Sequence, residues 1–235
     1  MNSQPLRIAG AALLLVLGIW AGVWVHSTRV AAQSHRPVAV AAGEASAPSP
    51  TDLAQASAGE GILPPPKIPD LLPQFSLEDR TGKPTPISAF AGQSLVINFW
   101  ATWCAPCRSE IPLLESLHAE WSGRGVSVVG IAVDHRDKVL EFADRFKIGY
   151  PLLIGEQDAL DAAAALGVGT PVFPFTVFTD RRGEVVALFV GQLHRPQAEI
   201  ILAEVQNLNQ GLEQLPAARH AIAEGLSALQ AKTPG

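Results

Sequence analysis

The 235-residue chain is poor in charge: Asp, Glu, Lys and Arg make up 17% of it, below the roughly 25% usual in globular domains. Its formal net charge of −5 leaves no basic footprint of the kind nucleic-acid binding requires, and no block of like charge reads as an interaction tail. A nucleic-acid partner is therefore not expected. Cysteine is scarcer still. The two residues present, Cys104 and Cys107, cannot build a multi-bridge scaffold, which needs several pairs in a small domain. Histidine does not follow the second cysteine. Arg108 stands there, which argues against covalent haem attachment. A second cysteine pair is missing, and His118 has no partner histidine at short spacing, so a four-ligand zinc site fails on ligand count. A bridge kept only for stability gains little from so small a loop. Internal repeats are absent.

Charge is missing altogether from Ile8 to Val25 (IAGAALLLVLGIWAGVWV). As a helix this run would reach ~27 Å, near the thickness of a hydrocarbon core. It has no polar face, and Trp20 and Trp24 sit toward one end, where interfacial aromatics are favoured. Residues 1–7 are then the cytoplasmic end and 8–25 a membrane anchor or an uncleaved signal. Val30-Ala31-Ala32 also has the small-residue pattern of a signal-peptidase site, so a soluble form cleaved near Ala32 stays open. Residues 26–67 are rich in Ala, Ser and Pro and read as a disordered tether.

Folded structure is expected over residues 68–208. Phe75-Ser76-Leu77, the turn Asp79-Arg80-Thr81-Gly82 and the return Thr85–Ile87 suggest an N-terminal hairpin. Leu95–Trp100 (LVINFW) and Val126–Val133 (VSVVGIAV) read as buried strands. Leu113, Leu114, Leu117 and Trp121 fall at helical spacing after the cysteines, with Pro112 expected to kink that helix. Further helices are predicted over 139–146, 158–166 and 198–208. Phe175–Thr179 and Val185–Val190, around Asp180-Arg181-Arg182-Gly183, suggest a late hairpin. The order implies an α/β fold with a central mixed β-sheet sandwiched by helices. Residues 209–235 form a C-terminal tail, helical if Ile222, Leu226 and Leu229 share a face.

Redox chemistry has a mechanism here. The pair follows a buried strand and opens a helix. A thiolate in a first helical turn faces unsatisfied N–H groups and the positive dipole end, which lowers its pKa. Pro106 is tolerated there because its missing N–H has no intrahelical role. Cys104 is thus expected to attack, and Cys107, one turn inward, to resolve the mixed disulfide.

FWATWCAPCRSEIP (Phe99–Pro112) resembles the active-site stretch of thioredoxin-fold proteins. More narrowly, the chain resembles the membrane-tethered TlpA/ResA/DsbE-like thiol-disulfide oxidoreductases of the AhpC/TSA-related redoxin superfamily. The likeness runs through FSLEDRTGKPTPISAF, VSVVGIAVD and PFTVFTDRRGEVV, over roughly Ile68 to Leu208. It implies a thioredoxin-like fold, with Pro174 as a cis-proline beside the cysteines; Pro171 is the rival. Pro174, Phe173 and Trp103 are then the candidate substrate-binding residues. Cytosolic thioredoxins carry a buried Asp where this chain has Asn98, so a proton relay to Cys107 must use water or another carboxylate, with Asp134 and Glu110 as the candidates.

The resemblance also implies a periplasm-facing enzyme on the bacterial inner membrane, needing no bound cofactor or metal. It would reduce protein disulfides, with apocytochrome c thiols or metallochaperone cysteines as clients and a DsbD/CcdA-type membrane donor. Two alternatives use the same cysteines: a DsbA-like oxidase, and a copper chaperone drawing a further ligand from His135 or His194.

Overall fold

The computed structural model describes residues 68–170 and 172–232. The readings for residues 1–67, including the apolar run at 8–25, lie outside the described residues. Among the described residues no helix is long and apolar enough to cross a membrane.

Two runs of β-branched and aromatic residues build the centre. Strand β3 (Ser94–Trp100) and strand β4 (Val126–Val133) are buried at every position. Strands covered on both faces lose the polar alternation of a half-exposed strand. They pair in parallel, Asn98 opposite Gly130. Gly130 is required there: a Cβ would lie 2.6 Å from Leu152 Cδ2 and 2.9 Å from Tyr150 Cε2. Strands β1 (Ser76–Asp79), β2 (Pro84–Pro86), β5 (Leu152–Gly155), β6 (Phe175–Thr179) and β7 (Val185–Val190) complete a mixed seven-stranded sheet in the order β2-β1-β5-β4-β3-β6-β7.

The amino-terminal hairpin is present, shifted slightly from the expected residues. β2 stops at Pro86, because Ile87 opens a 3-10 turn over Ile87–Phe90 and buries its side chain. Asp79 organises the turn by accepting from Thr81 N at 2.7 Å, and Gly82 takes the positive φ of 86° that the reversal needs.

Period-two alternation in β3 sorts its side chains between two cores. Val96 and Trp100 face one core, which helices α1 (Ala105–Trp121), α2 (Arg136–Phe146), α4 (Arg195–Asn209) and α5 (Leu215–Lys232) cover. Leu95, Ile97 and Phe99 face the other, closed by helix α3 (Gln157–Ala165) and Ile87. Helices therefore lie on both faces of the sheet. Helix α1 runs on through Pro112 to Trp121.

The tail is helical and packed. Helix α5 contributes Ala218 and Ile222 to the first core. Arg219 donates to Val185 O at 2.7 Å and pairs with Asp70 at 2.9 Å. That guanidinium ties α5 both to the start of β7 and to the point where the chain enters the domain. Ile222→Ala should therefore cost roughly 2–4 kcal/mol, read as a lower urea midpoint. An unchanged midpoint would mean that α5 does not belong to the cooperative unit.

Candidate active site

The sheet directs everything reactive to one end. Strand β3 finishes at Trp100, and the chain turns through Ala101–Trp103, with Cys104 N donating to Ala101 O at 3.2 Å. Cys104 is the N-cap of α1, and its sulfur accepts from Cys107 N at 3.3 Å. Pro106 sits in the first turn, where no intrahelical donor is lost. The two cysteines are joined in a disulfide, their Cα atoms 5.3 Å apart. Cys104 is 5% exposed and Cys107 1%, so the first cysteine is the outer one.

Strand β6 brings the second loop. Phe175 pairs antiparallel with Phe99, which puts the residues before Phe175 at the end of β3 from which the cysteines emerge. The Phe173–Pro174 peptide bond is cis; Pro171, the rival proline, lies outside the described residues. Trp103 is 68% exposed and meets Phe173 edge-on, ring centroids 6.0 Å apart. Phe173 in turn stacks on Phe175. Trp103 and Phe173 thus form an apolar edge at the end of the sheet where the cysteines stand, followed directly by the buried cis Pro174.

The two carboxylates considered as relays have different surroundings. Asp134 is buried just beyond β4, where Thr102 Oγ1 and its neighbour His135 N donate to it. Glu110 is buried in α1 on the face that also buries Cys107, Ile111, Leu114 and Leu117. Residues three apart on a helix are surface neighbours, so Glu110 adjoins Cys107, the inner cysteine. Asn98 Nδ2 donates to Glu110 Oε1 at 2.7 Å and to Thr176 Oγ1 at 3.1 Å. Leu193 N donates to Glu110 Oε2 at 2.9 Å. Both carboxyl oxygens therefore have a donor.

Asn98 now has a physical reason. An aspartate at that position would set two carboxylates against each other in the core, and one would have to stay protonated. The amide instead supplies a donor, and the titrating group sits on the helix. Burial pushes the Glu110 carboxyl up from an ordinary 4.5 to about 7; the hydrogen bonds from Leu193 and Asn98 oppose this without cancelling it. A carboxyl in that range can hold or accept a proton near neutral pH.

The histidines considered as copper ligands are His135 and His194. His135 pairs with Glu156 at 3.1 Å, and His194 stands exposed at the start of α4. Among the described residues no group of three or more His, Cys, Asp or Glu is arranged to hold a metal ion. Sequence reasoning missed Thr102, Thr176 and the Leu193 amide. The spacing of three from Cys107 to Glu110 was a usable signal for the buried carboxyl. The register that sets Asn98 opposite Thr176 was not.

Comparison with known proteins agrees with this geometry. The sequence model of the AhpC/TSA family matches residues 68–189. The chain is 30% identical over 135 residues to the thiol-disulfide oxidoreductase ResA of Geobacillus kaustophilus, covering 57% of this chain and 75% of that one. It is 32% identical over 122 residues to ResA of Geobacillus thermodenitrificans, covering 52% and 68%. A crystal structure from Chlorobium tepidum assigned as the thiol:disulfide interchange protein DsbE shares the fold, with a TM-score of 0.52 and 24% identity over 61% of this chain and 97% of that one.

The raised Glu110 has a consequence for stability in the oxidised protein, whose cysteines do not titrate. Between an unfolded value of 4.5 and a folded value of about 7, the folded state keeps a proton that the unfolded chain has released. Stability from this group is therefore greatest below pH 4.5 and falls as pH rises toward 7, by up to about 3 kcal/mol. Urea unfolding across that window should show a fall in the wild type that Glu110→Gln removes. Equal pH slopes in the two proteins would contradict the buried, proton-holding carboxyl.

Proposed function

The chain belongs to the AhpC/TSA family, and from that premise we propose that it reduces protein disulfides on the outer side of a bacterial cytoplasmic membrane. The exchange chemistry itself is that of its relatives: the chain is a thiol-disulfide oxidoreductase. The observation that carries the reading is the Cys104–Cys107 pair at the start of α1, its inner member beside the buried Glu110.

In the reduced enzyme the Cys104 thiolate attacks one sulfur of a client disulfide. The client S–S bond breaks, one client sulfur leaves as a thiolate, and a Cys104–client mixed disulfide forms. Cys107 then gives up its proton, with Glu110 as the acceptor, and attacks Cys104. The second client thiolate leaves, and the Cys104–Cys107 disulfide of the structure is regenerated. The client gains two electrons, and the enzyme pair loses them. Asp134, bonded to Thr102, holds the loop before Trp103. Trp103, Phe173 and Pro174 receive the client chain around its disulfide.

The run at 8–25 anchors the enzyme, 26–67 tethers it, and a DsbD/CcdA-type membrane protein returns it to the dithiol form. Oxidised cysteines of apocytochromes c or metallochaperones are the proposed clients. The apolar run of the sequence and the tethered arrangement of the resembling family support this placement.

Cys107→Ser, expressed in the native host, should accumulate mixed disulfides on Cys104, whereas Cys104→Ser should trap nothing. The reverse pattern would overturn the assignment of the attacking thiol. Redox titration of the purified protein should give a potential nearer the about −270 mV of thioredoxin than the about −120 mV of DsbA. A value at the oxidising end would reverse the proposed direction.

A further inference from the structure

Between the start of α1 and the outer face of α2 lies a hollow of about 260 Å³ that the exchange chemistry does not use. Its wall on the active-site side is Thr102 and Arg108, the residues that flank the Trp103–Cys107 stretch. Its opposite wall is α2, where Phe142 and Phe146 stack with ring centroids 4.2 Å apart. Phe146 is 44% exposed, although a phenylalanine of that size is ordinarily buried. Lys138 and Arg145 complete the rim.

Charge gives this hollow a sign. Three cations line it against one carboxylate, Glu141, and that carboxylate is taken by Arg145 four residues along the helix. Arg108 and Lys138 have no ion pair among the described residues. In a chain of net charge −5, a positive rim over an aromatic floor beside the reactive cysteine is a local exception. Its complement is a carboxylate followed by an apolar side chain, one to meet Lys138 and Arg108, the other to lie on Phe146.

We propose that this hollow selects clients: it docks an acidic–apolar residue pair in the partner polypeptide next to the cysteine under attack. The proposal rests on the reading of the chain as a disulfide reductase. Charges at the rim of a contact act chiefly on encounter and on the choice among partners. Selection is therefore expected in the rate of the first exchange step.

Two synthetic peptides test it, each a homodimer joined through one central cysteine. One carries Glu-Phe on both sides of the cysteine, the other Lys-Phe. The reduced full-length protein should react with the Glu-Phe peptide about fivefold faster or more at low salt. The preference should vanish near 1 M salt, where the screening length is about 3 Å. Lys138→Glu should bring the ratio to about one or invert it. Lys138 lies in the first turn of α2, where a glutamate suits the helix dipole, so the variant should fold. Because one protein preparation meets both peptides, the ratio is also independent of the folded fraction.

A ratio near one in the wild type, or a ratio that Lys138→Glu leaves unmoved, overturns the docking proposal while disulfide reduction stands. Reaction with neither peptide overturns both. A dimer of the chain that Lys138→Glu dissolves would assign the surface to a second copy and overturn the client reading.

Discussion

The carboxyl of Glu110 is the point on which the rest of the site depends. It stands on α1, receives a hydrogen bond from Asn98 on β3, and receives another from the backbone of Leu193 between β7 and α4. Through Asn98 it is linked to Thr176 on β6. Four segments meet at one buried acidic group. Buried polar groups are tolerated only when they are bonded, and a fully bonded network fixes the packing of what surrounds it. The same burial that makes the group costly to ionise leaves it able to hold a proton near neutral pH, which the proposed resolution step uses.

Around that anchor the fold separates two tasks. The inner half, with Cys107, Glu110 and Asn98, is closed off from water. The outer half presents Cys104 at the helix start, with Trp103 and Phe173 as a rim. The helix terminus supplies unsatisfied N–H groups and a positive field to the outer sulfur, while the core sets a buried carboxyl one helical turn from the inner one. The proposed attack and resolution would thus draw on different physics three residues apart. The positive hollow between α1 and α2 extends the outer half toward partners, and α5 secures the domain at the other end of the chain through Arg219.

Much of this was legible in the residues. The run LVINFW announces a strand buried on both faces, and it is one. The two cysteines with Pro106 announce a helix start, and Cys104 caps it. The hairpin turns at Asp79–Gly82 and Asp180–Gly183 lie where their side chains and glycines suggest. Asn98 and Glu110 both stand out in the sequence, the first because it does not titrate and the second as a candidate relay. Their contact was hidden, because it depends on how far α1 folds back over β3. Leu193 enters through its backbone amide, which no side-chain pattern marks. The packing of α5 into the main core depends on its docking against α4, and a stretch rich in alanine carries little information about a partner.

The pH titration of the Glu110 carboxyl, followed by carbon NMR in the oxidised protein, decides whether this buried group holds a proton near neutral pH. The expected midpoint is about 7, moved by replacing Asn98. A midpoint near 4.5, the ordinary value for the group, would mean that the carboxyl is solvated, and the proton path to Cys107 described above would fail.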